Sequence, residues 1–332
     1  MNILLSLQPI ANKRDKSYSL TSRFRNRMRI MRQKSIAILS SIGMLVTTAI
    51  WGFAFVVVKD TVDSVPPVYM MAFRFTIATV GLVLLTFGRL KNLDGSTLIH
   101  GIIIGGCLFA AYLLQTVGIQ YTTAGKNAFL TAVYVILVPL ILWLLTRRFP
   151  GLHIIVAAVM SLVGIALLTL QEDLTVNRGD VMTLFCGVFF ALQIIFIARY
   201  NATEDAILLT VLQLATAAIL SWLCAPFLDG PIPLRALEER RVFLSILYLG
   251  LLSTLLAFLL QNICQKYTPV SVAAILLSLE AFFGVLFSWI FLDERMTAPM
   301  MAGCLILFVA IVLAETGFSW LSFRKRPSGR PQ

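Results

Sequence analysis

Long apolar stretches alternate with short polar interruptions along almost the whole chain. Each stretch is about 20 residues long, which is enough for a helix to cross a hydrocarbon core about 30 Å thick. Cutting the sequence at its charged and Pro/Gly-rich interruptions predicts ten transmembrane helices. They are expected at about 35–58, 66–87, 99–119, 125–145, 151–170, 180–199, 205–228, 242–262, 270–291 and 297–317.

The composition agrees with a membrane-embedded chain. Of the 332 residues, 59% are hydrophobic and only 13% are charged, whereas soluble domains contain about 25% charged residues. So few charges cannot cover a water-exposed surface. The predicted fold class is therefore an all-α polytopic membrane protein.

The net charge of +11 is concentrated at the two ends of the chain. Residues 1–34 contain nine Lys/Arg and one Asp, and residues 318–332 add four Lys/Arg. Terminal basic segments suit anionic lipid headgroups, so we expect membrane lipids and no nucleic acid as partners. We expect residues 1–34 to be a mostly disordered tail. Met28 and Met31 are alternative starts to Met1.

The loops predict the orientation of the chain in the membrane. If the N-terminus is cytoplasmic, 19 Lys/Arg lie on the cytoplasmic side and six on the other. Positively charged loops stay inside, so both termini are expected in the cytoplasm, with residues 318–332 as a second basic tail.

The chain contains an internal repeat. "AYLLQTVGIQYT" (111–122) matches "AFLLQNICQKYT" (257–268) at six of twelve positions, with an offset of 146 residues. This offset divides the chain into halves at 35–171 and 172–317, with five spans each. Because five is odd, the second half enters the membrane from the opposite side. Two inverted five-helix repeats are typical of transporters, whose substrate site lies near the midplane.

Four segments resemble the EamA-type permeases of the drug/metabolite transporter superfamily. They are "AIWGFAFVVVK" (49–59), "PPVYMMAFRFTIA" (66–78), "YTTAGKNAFLTAVYVILVPL" (121–140) and "SLEAFFGVLFSWIFLDERMTAPMMAGCLIL" (278–307). The resemblance extends over residues 35–317. It implies export or exchange of small metabolites across a cell inner (cytoplasmic) membrane. Separately, we expect a proton or a counter-solute as the coupling partner. A homodimer is compatible with this interpretation.

Only two charged residues lie deep within the predicted spans, Arg74 and Glu280. An ionisable side chain at the bilayer centre costs about 2.5–3.5 kcal/mol on insertion scales. Arg74 could bind an anionic group of a substrate, and Glu280 could take up and release a proton. Alternatively, the two form a static ion pair that fixes helix packing.

Polar side chains on the third and fourth spans are further candidates. Asn127, Thr131 and Tyr134 follow i, i+4, i+7 spacing and share one helix face. Tyr112 and Gln115 share a face of the third span in the same way. Such side chains either line a cavity or hydrogen-bond between helices.

Trp51 and Gln213 complete the set of candidate residues. Trp51 could stack on a ring of the substrate or belong to the aromatic belt at the membrane surface. Gln213 aligns with Arg74 at an offset of 139 residues, so both halves contain a polar group at that point.

Other classes of function find little support in the sequence. The five cysteines are isolated and the two histidines are far apart, so no metal, cofactor or catalytic set is expected. The chain contains no GxxxxGK[ST] loop, so transport would use a gradient rather than ATP. A membrane scaffold or a channel-like protein remains the alternative, and an intramembrane enzyme is a weaker one.

Overall fold

A computed structural model describes residues 13–122, 124–169, 177–292 and 297–317. The regular elements in these ranges are all helical. The chain divides into two compact units between Leu39 and Ser40, and the site described below lies within the second. The α-helices are α1 (Lys13–Thr61), α2 (Pro67–Thr86), α3 (Gly95–Gly118), α4 (Ala124–Thr131), α5 (Tyr134–Thr146), α6 (Leu152–Thr169), α7 (Arg178–Tyr200), α8 (Ala206–Leu228), α9 (Arg240–Gly250), α10 (Ala257–Gln265), α11 (Val270–Leu277), α12 (Glu280–Leu292) and α13 (Ala298–Thr316).

Eight helical segments in the described ranges are long and apolar enough to cross a membrane. Two of the predicted spans correspond to shorter apolar helices, Leu152–Leu167 and Ala298–Ala314. The prediction of an all-helical, multi-pass membrane protein is therefore confirmed. The eight segments are Ser35–Thr61, Pro67–Asn92, Gly95–Gly118, Asn127–Thr146, Arg178–Tyr200, Ala206–Leu228, Arg240–Gln265 and Val270–Phe287.

The described residues begin at Lys13, and the disordered tail over residues 1–34 stays a prediction. Helix α1 begins at Lys13 and continues without interruption to Thr61. The first twelve residues and the basic tail at 318–332 lie outside the described residues.

Small residues allow close packing between the helices of the two halves. Helix α3 packs against α7 and α8, α2 against α8, and α6 against α13. A Cβ added to Gly118 of α3 would lie 3.1 Å from the carbonyl oxygen of Gly179 in α7, and one added to Gly164 of α6 would lie 3.0 Å from that of Gly303 in α13. Membrane helices associate through such small residues because their backbones can then approach closely.

The fourth and ninth predicted spans are both interrupted, and at equivalent points of the repeat. Helix α4 ends at Thr131 and α5 begins at Tyr134, whereas α11 ends at Leu277 and α12 begins at Glu280. These boundaries are again separated by 146 residues. At both breaks the backbone tightens into i→i−3 hydrogen bonds, such as Val135 N to Ala132 O at 2.9 Å. Short 3₁₀ turns within helices often mark functional hinges.

A second local irregularity lies between α9 and α10, where Leu251–Leu256 forms a π-helix, hereafter the π segment. The Thr254 hydroxyl donates to the Leu249 carbonyl, five residues earlier, at 2.6 Å. The wider turn presents the side chains of Ser253 and Thr254 on the buried side of the bundle.

Asp229, just after α8, caps the start of α2. Helix α2 follows Pro66, which supplies no side-chain cap. Instead the Asp229 carboxylate accepts hydrogen bonds from the backbone N–H groups of Val68 at 2.7 Å and Tyr69 at 3.0 Å. Burial raises the pKa of this carboxyl above its ordinary value, although the two N–H groups act in the opposite direction.

Replacing Asp229 by alanine should lower the free energy of unfolding by about 1 kcal/mol, because the first N–H groups of α2 lose their acceptor. The measurement is thermal unfolding of the purified protein in detergent. Asp229→Asn retains an acceptor oxygen, so its free energy of unfolding should fall by less than that of Asp229→Ala. Asp63→Ala, which removes an exposed carboxylate from the loop before α2, is the matched control. Equal effects of Asp229→Ala and Asp63→Ala would contradict the capping role.

Candidate substrate-binding cavity

A central cavity lies among the helices of both halves. Its walls come from α1, α2, α3, α4, α5, α7, the π segment, α10, α11 and α12. About 640 Å³ of empty space lies between these walls, including space open to the outside.

Arg74 of α2 lines this cavity and is 3% exposed. Its Nε donates to the Thr254 hydroxyl at 2.8 Å, and one terminal nitrogen donates to the Ser253 hydroxyl at 2.9 Å. The guanidinium carbon lies 4.8 Å from the centre of the Tyr112 ring, which is cation–π range. Two of the five N–H donors of an arginine are engaged by these hydroxyls. The π segment therefore fixes the guanidinium from one side.

Glu280 lies at the opposite half's helix break, as the first residue of α12. It is 6% exposed, and its Oε1 accepts a hydrogen bond from the Tyr134 hydroxyl at 3.2 Å. Tyr134 is the first residue of α5, so the two broken helices meet through their equivalent residues. The N-terminus of a helix carries partial positive charge, which favours a carboxylate at this position.

Arg74 and Glu280 line the same cavity without forming an ion pair with each other. Within the described part of the chain, the hydrogen bonds of Arg74 go to hydroxyl groups and that of Glu280 comes from Tyr134. The salt bridges found among the described residues lie elsewhere, at Arg89–Asp205, His100–Glu204 and Arg241–Asp60. The described structure therefore does not contain the static Arg74–Glu280 pair.

Three of the polar residues predicted on the third and fourth spans, Gln115, Asn127 and Thr131, form one hydrogen-bonded cluster. The side-chain nitrogen of Asn127 donates to the backbone carbonyl of Gln115 at 3.1 Å and to the Thr183 hydroxyl at 2.9 Å. The Gln115 amide in turn donates to Thr131 at 3.0 Å. Asn127 and Gln115 also line the cavity, whereas Thr131 lies behind them, 3.5 Å from the Cys186 sulfur. Asn127 and Gln115 therefore both line the cavity and hydrogen-bond between helices, whereas Thr131 does only the latter.

Aromatic rings form a continuous part of the cavity wall. The Trp51 and Phe258 rings lie 5.1 Å apart, and Tyr112 lies 5.5 Å from Phe190. Trp51 also donates from Nε1 to the Ser253 carbonyl at 2.9 Å. An apolar or ring-bearing portion of a ligand would find stacking partners here.

Several residues of this region are absent from the sequence-based candidates. Ser253 and Thr254 hold Arg74, and Gln261 lines the cavity. Gln213, a predicted candidate, does not line it: its Oε1 accepts from Gln193 at 3.3 Å. In the sequence, Ser253 and Thr254 could have been found as a polar pair within the apolar run "LGLLSTLLAF" (249–258).

Comparison with known proteins agrees with this architecture. The sequence profile of the EamA-like transporter family matches twice, at residues 38–170 and 177–316. An "Uncharacterized transporter" of Archaeoglobus fulgidus is 33% identical over 276 residues, which is 83% of this chain and 85% of the relative. The "Uncharacterized transporter YoaV" of Bacillus subtilis is 23% identical over 289 residues, covering 84% and 97% of the two chains.

A solved crystal structure also resembles the fold. It superimposes with a TM-score of 0.71 at 18% sequence identity, covering 85% of this chain and 98% of the other. At this identity the likeness concerns the fold alone. Because the family profile matches most of the chain and the archaeal relative exceeds 30% identity, membership is established. The chain belongs to the EamA-like transporter family, within the drug/metabolite transporter superfamily.

Proposed function

We propose that this protein is a secondary transporter that exports or exchanges small organic metabolites or drugs across the inner membrane by alternating access. It would consist of ten transmembrane helices in two inverted five-helix repeats, with both termini in the cytoplasm. The observation that supports this most directly is the central cavity, in which Arg74 and Glu280 are buried without pairing with each other. Ionisable side chains within membrane spans that face a cavity are typical of substrate and ion pathways.

The equivalent breaks in the two halves support alternating access. Discontinuous helices at corresponding positions of inverted repeats commonly form the substrate site of secondary transporters. Here the first residue after each break, Tyr134 in one half and Glu280 in the other, lines the cavity. Rocking one half against the other would change the contact between these two residues and open the cavity to alternate sides.

The cavity's chemistry suggests how a substrate would be held. Arg74 would bind an anionic group, because its guanidinium has no carboxylate partner among the described residues and an unpaired buried charge is unfavourable. The aromatic wall with Trp51 and Tyr112 would contact an apolar portion. Glu280 would exchange a proton, since it can be neutral or charged beside Tyr134.

The alternatives differ from this proposal in what they require of the cavity. A scaffold needs no cavity that is lined by charged side chains such as Arg74 and Glu280. A channel-like protein would move solutes without coupling to a gradient, and would have no use for a titratable group at a helix break. An intramembrane enzyme would need a reactive set of groups, whereas Glu280 hydrogen-bonds only to a tyrosine within the described chain.

The test compares intracellular and extracellular metabolite profiles of cells with no copy, wild type or Arg74→Gln, at equal membrane levels. Wild type should shift a few solutes outward, and Arg74→Gln should reduce the apparent affinity for anionic ones about 10-fold or more, because a charged hydrogen bond is lost. Arg199→Gln, which removes an exposed arginine at the end of α7, is the control. Identical profiles in all cells across many growth conditions would favour the scaffold alternative.

A further inference from the structure

A row of buried amide side chains extends from the cavity through the second half of the chain. Gln193 and Gln261 line the cavity, and Asn201 follows the last residue of α7 at the end of the bundle. Every member of this row is at most 2% exposed. We call it the amide ladder; its members are Gln193, Asn201, Gln213, Gln261, Asn262 and Gln265.

Hydrogen bonds fix the orientation of three of these amides. The side-chain nitrogen of Gln265 donates to the backbone carbonyl of Ile194 at 2.5 Å. The side-chain nitrogen of Asn201 donates to the backbone carbonyl of Asn262 at 2.9 Å. The Asn262 nitrogen donates to the Thr210 hydroxyl at 2.6 Å. Because that hydroxyl gives its own hydrogen to the Ala206 carbonyl, it can only accept. None of these three amides can turn over without losing its hydrogen bond.

The three oxygens of these fixed amides remain without partners. The Oδ1 atoms of Asn201 and Asn262 and the Oε1 of Gln265 are buried and accept no hydrogen bond from the described residues. A buried polar group in hydrocarbon is strongly unfavourable unless it is paired. Each needs a donor that no described side chain or backbone group supplies.

The glutamines nearest the cavity also contain buried polar atoms without hydrogen-bond partners among the described residues. Gln261 donates to Gln193 at 3.5 Å, and Gln193 donates to Gln213 at 3.3 Å. The Oε1 of Gln261 and the Nε2 of Gln213 are left over. If all three amides were turned over, the unpaired acceptor would lie on Gln213 and the unpaired donor on Gln261. One donor and one acceptor therefore stay unpaired in either orientation.

The outer end of the ladder reaches polar groups near the surface. Glu204 lies three residues after Asn201, and one of its oxygens, Oε2, is also buried without a partner among the described residues. The other oxygen pairs with His100, a side chain that is 26% exposed, and accepts from Ser96 at 3.3 Å. Unpaired polar atoms therefore occur from the cavity to the edge of the bundle.

We propose that the amide ladder is a binding site for a chain of water molecules that connects this end of the bundle with the central cavity. Water fits the deficit because each molecule donates two hydrogen bonds and also accepts, whereas most of the unpaired atoms are acceptors. In the orientation proposed above, the path opens to the cytoplasm. Its use in delivering protons to Glu280 rests on the proposed function; the path itself does not.

The test is the reaction of introduced cysteines with Ag⁺, a thiol-binding cation of about the size of a water molecule. Gln265→Cys and Thr210→Cys, each in a background without native cysteines, are exposed to Ag⁺ in nitrate buffer, and a variant whose only cysteine is Cys264 is treated in parallel. Protection from later maleimide labelling in SDS is the readout. Cys264 is the matched control, because it is adjacent in sequence but packs against Met44 in an apolar cluster.

We expect both introduced cysteines to be protected at least 10-fold faster than Cys264. Thr210→Cys is nearly isosteric, which keeps the test valid if Gln265→Cys fails to fold. Rates equal to that of Cys264 in a folded protein would overturn the path, as would slowing by Na⁺, which would indicate a cation site instead. Fast protection together with unchanged metabolite profiles would retain the path and count against the transporter proposal.

Discussion

Replacing Glu280 by glutamine should abolish solute movement driven by a pH gradient in proteoliposomes, with a loss of about 50-fold or more. Glutamine retains the size of the side chain and an oxygen that can accept from the Tyr134 hydroxyl, but it cannot bind or release a proton. Among the described residues that line the cavity, Glu280 is the only one with a carboxyl group. We therefore expect the proposed proton coupling to depend on the Glu280 carboxyl.

The same variant should retain exchange of labelled for unlabelled solute across the membrane. Exchange needs binding and alternating access, but no net proton movement. Asp63→Asn, which neutralises an exposed loop carboxylate, should change neither activity. If Glu280→Gln still accumulated solute in response to a pH gradient as wild type does, Glu280 would not be the coupling group. If exchange were lost as well, a structural role in holding the helix break would explain the result.

The sequence predicts the order of the helices and the deep charges well, because both follow from local physics. A bilayer demands about 20 apolar residues per span, and a charge inside such a run is conspicuous. Arg74, Glu280, Tyr134, Asn127, Tyr112, Gln115 and Trp51 all line the cavity. The repeat also suggests that Tyr134 and Glu280 are equivalent, and they hydrogen-bond to each other.

The breaks and the π segment could not be predicted from the same pattern. No glycine lies within five residues of Ala132 or Ser278, and the one proline nearby, Pro139, lies within α5. A helix break here depends on neighbouring helices. A Cβ on Gly187 of α7 would lie 3.2 Å from the Thr131 carbonyl oxygen, so α7 packs directly against this break. Such tertiary contacts leave no local signature.

The amide ladder illustrates a similar limit. Gln193, Gln261 and Gln265 are separated in sequence by up to 72 positions, and each is ordinary within its own helix. Only their shared burial and their hydrogen bonds identify them as a set. Arg74 likewise stands out in the sequence, whereas Ser253 and Thr254 become relevant only through contact with its guanidinium.

Replacing Gly52 by alanine should destabilise the protein by about 1–3 kcal/mol, the usual cost of overpacking, and should also reduce transport. A Cβ at Gly52 would lie 2.5 Å from the Phe283 Cβ and 2.7 Å from the Gly284 backbone nitrogen. Backbone atoms cannot rotate away, so α1 and α12 would have to separate. Helix α12 begins with Glu280, so this separation would displace the carboxylate from the cavity.

Gly106→Ala is the matched control, because a Cβ at Gly106 of α3 would meet nothing within 4 Å. Alanine is the better helix former by about 0.8–1.0 kcal/mol, so this variant should be as stable as wild type or slightly more so. The measurements are thermal unfolding in detergent and solute exchange in proteoliposomes. Equal unfolding temperatures for the two variants would contradict the close α1–α12 contact. A destabilised Gly52→Ala with normal transport would instead show that Glu280 keeps its position when α1 moves, and would leave the contact with α5 through Tyr134 as the feature that holds it.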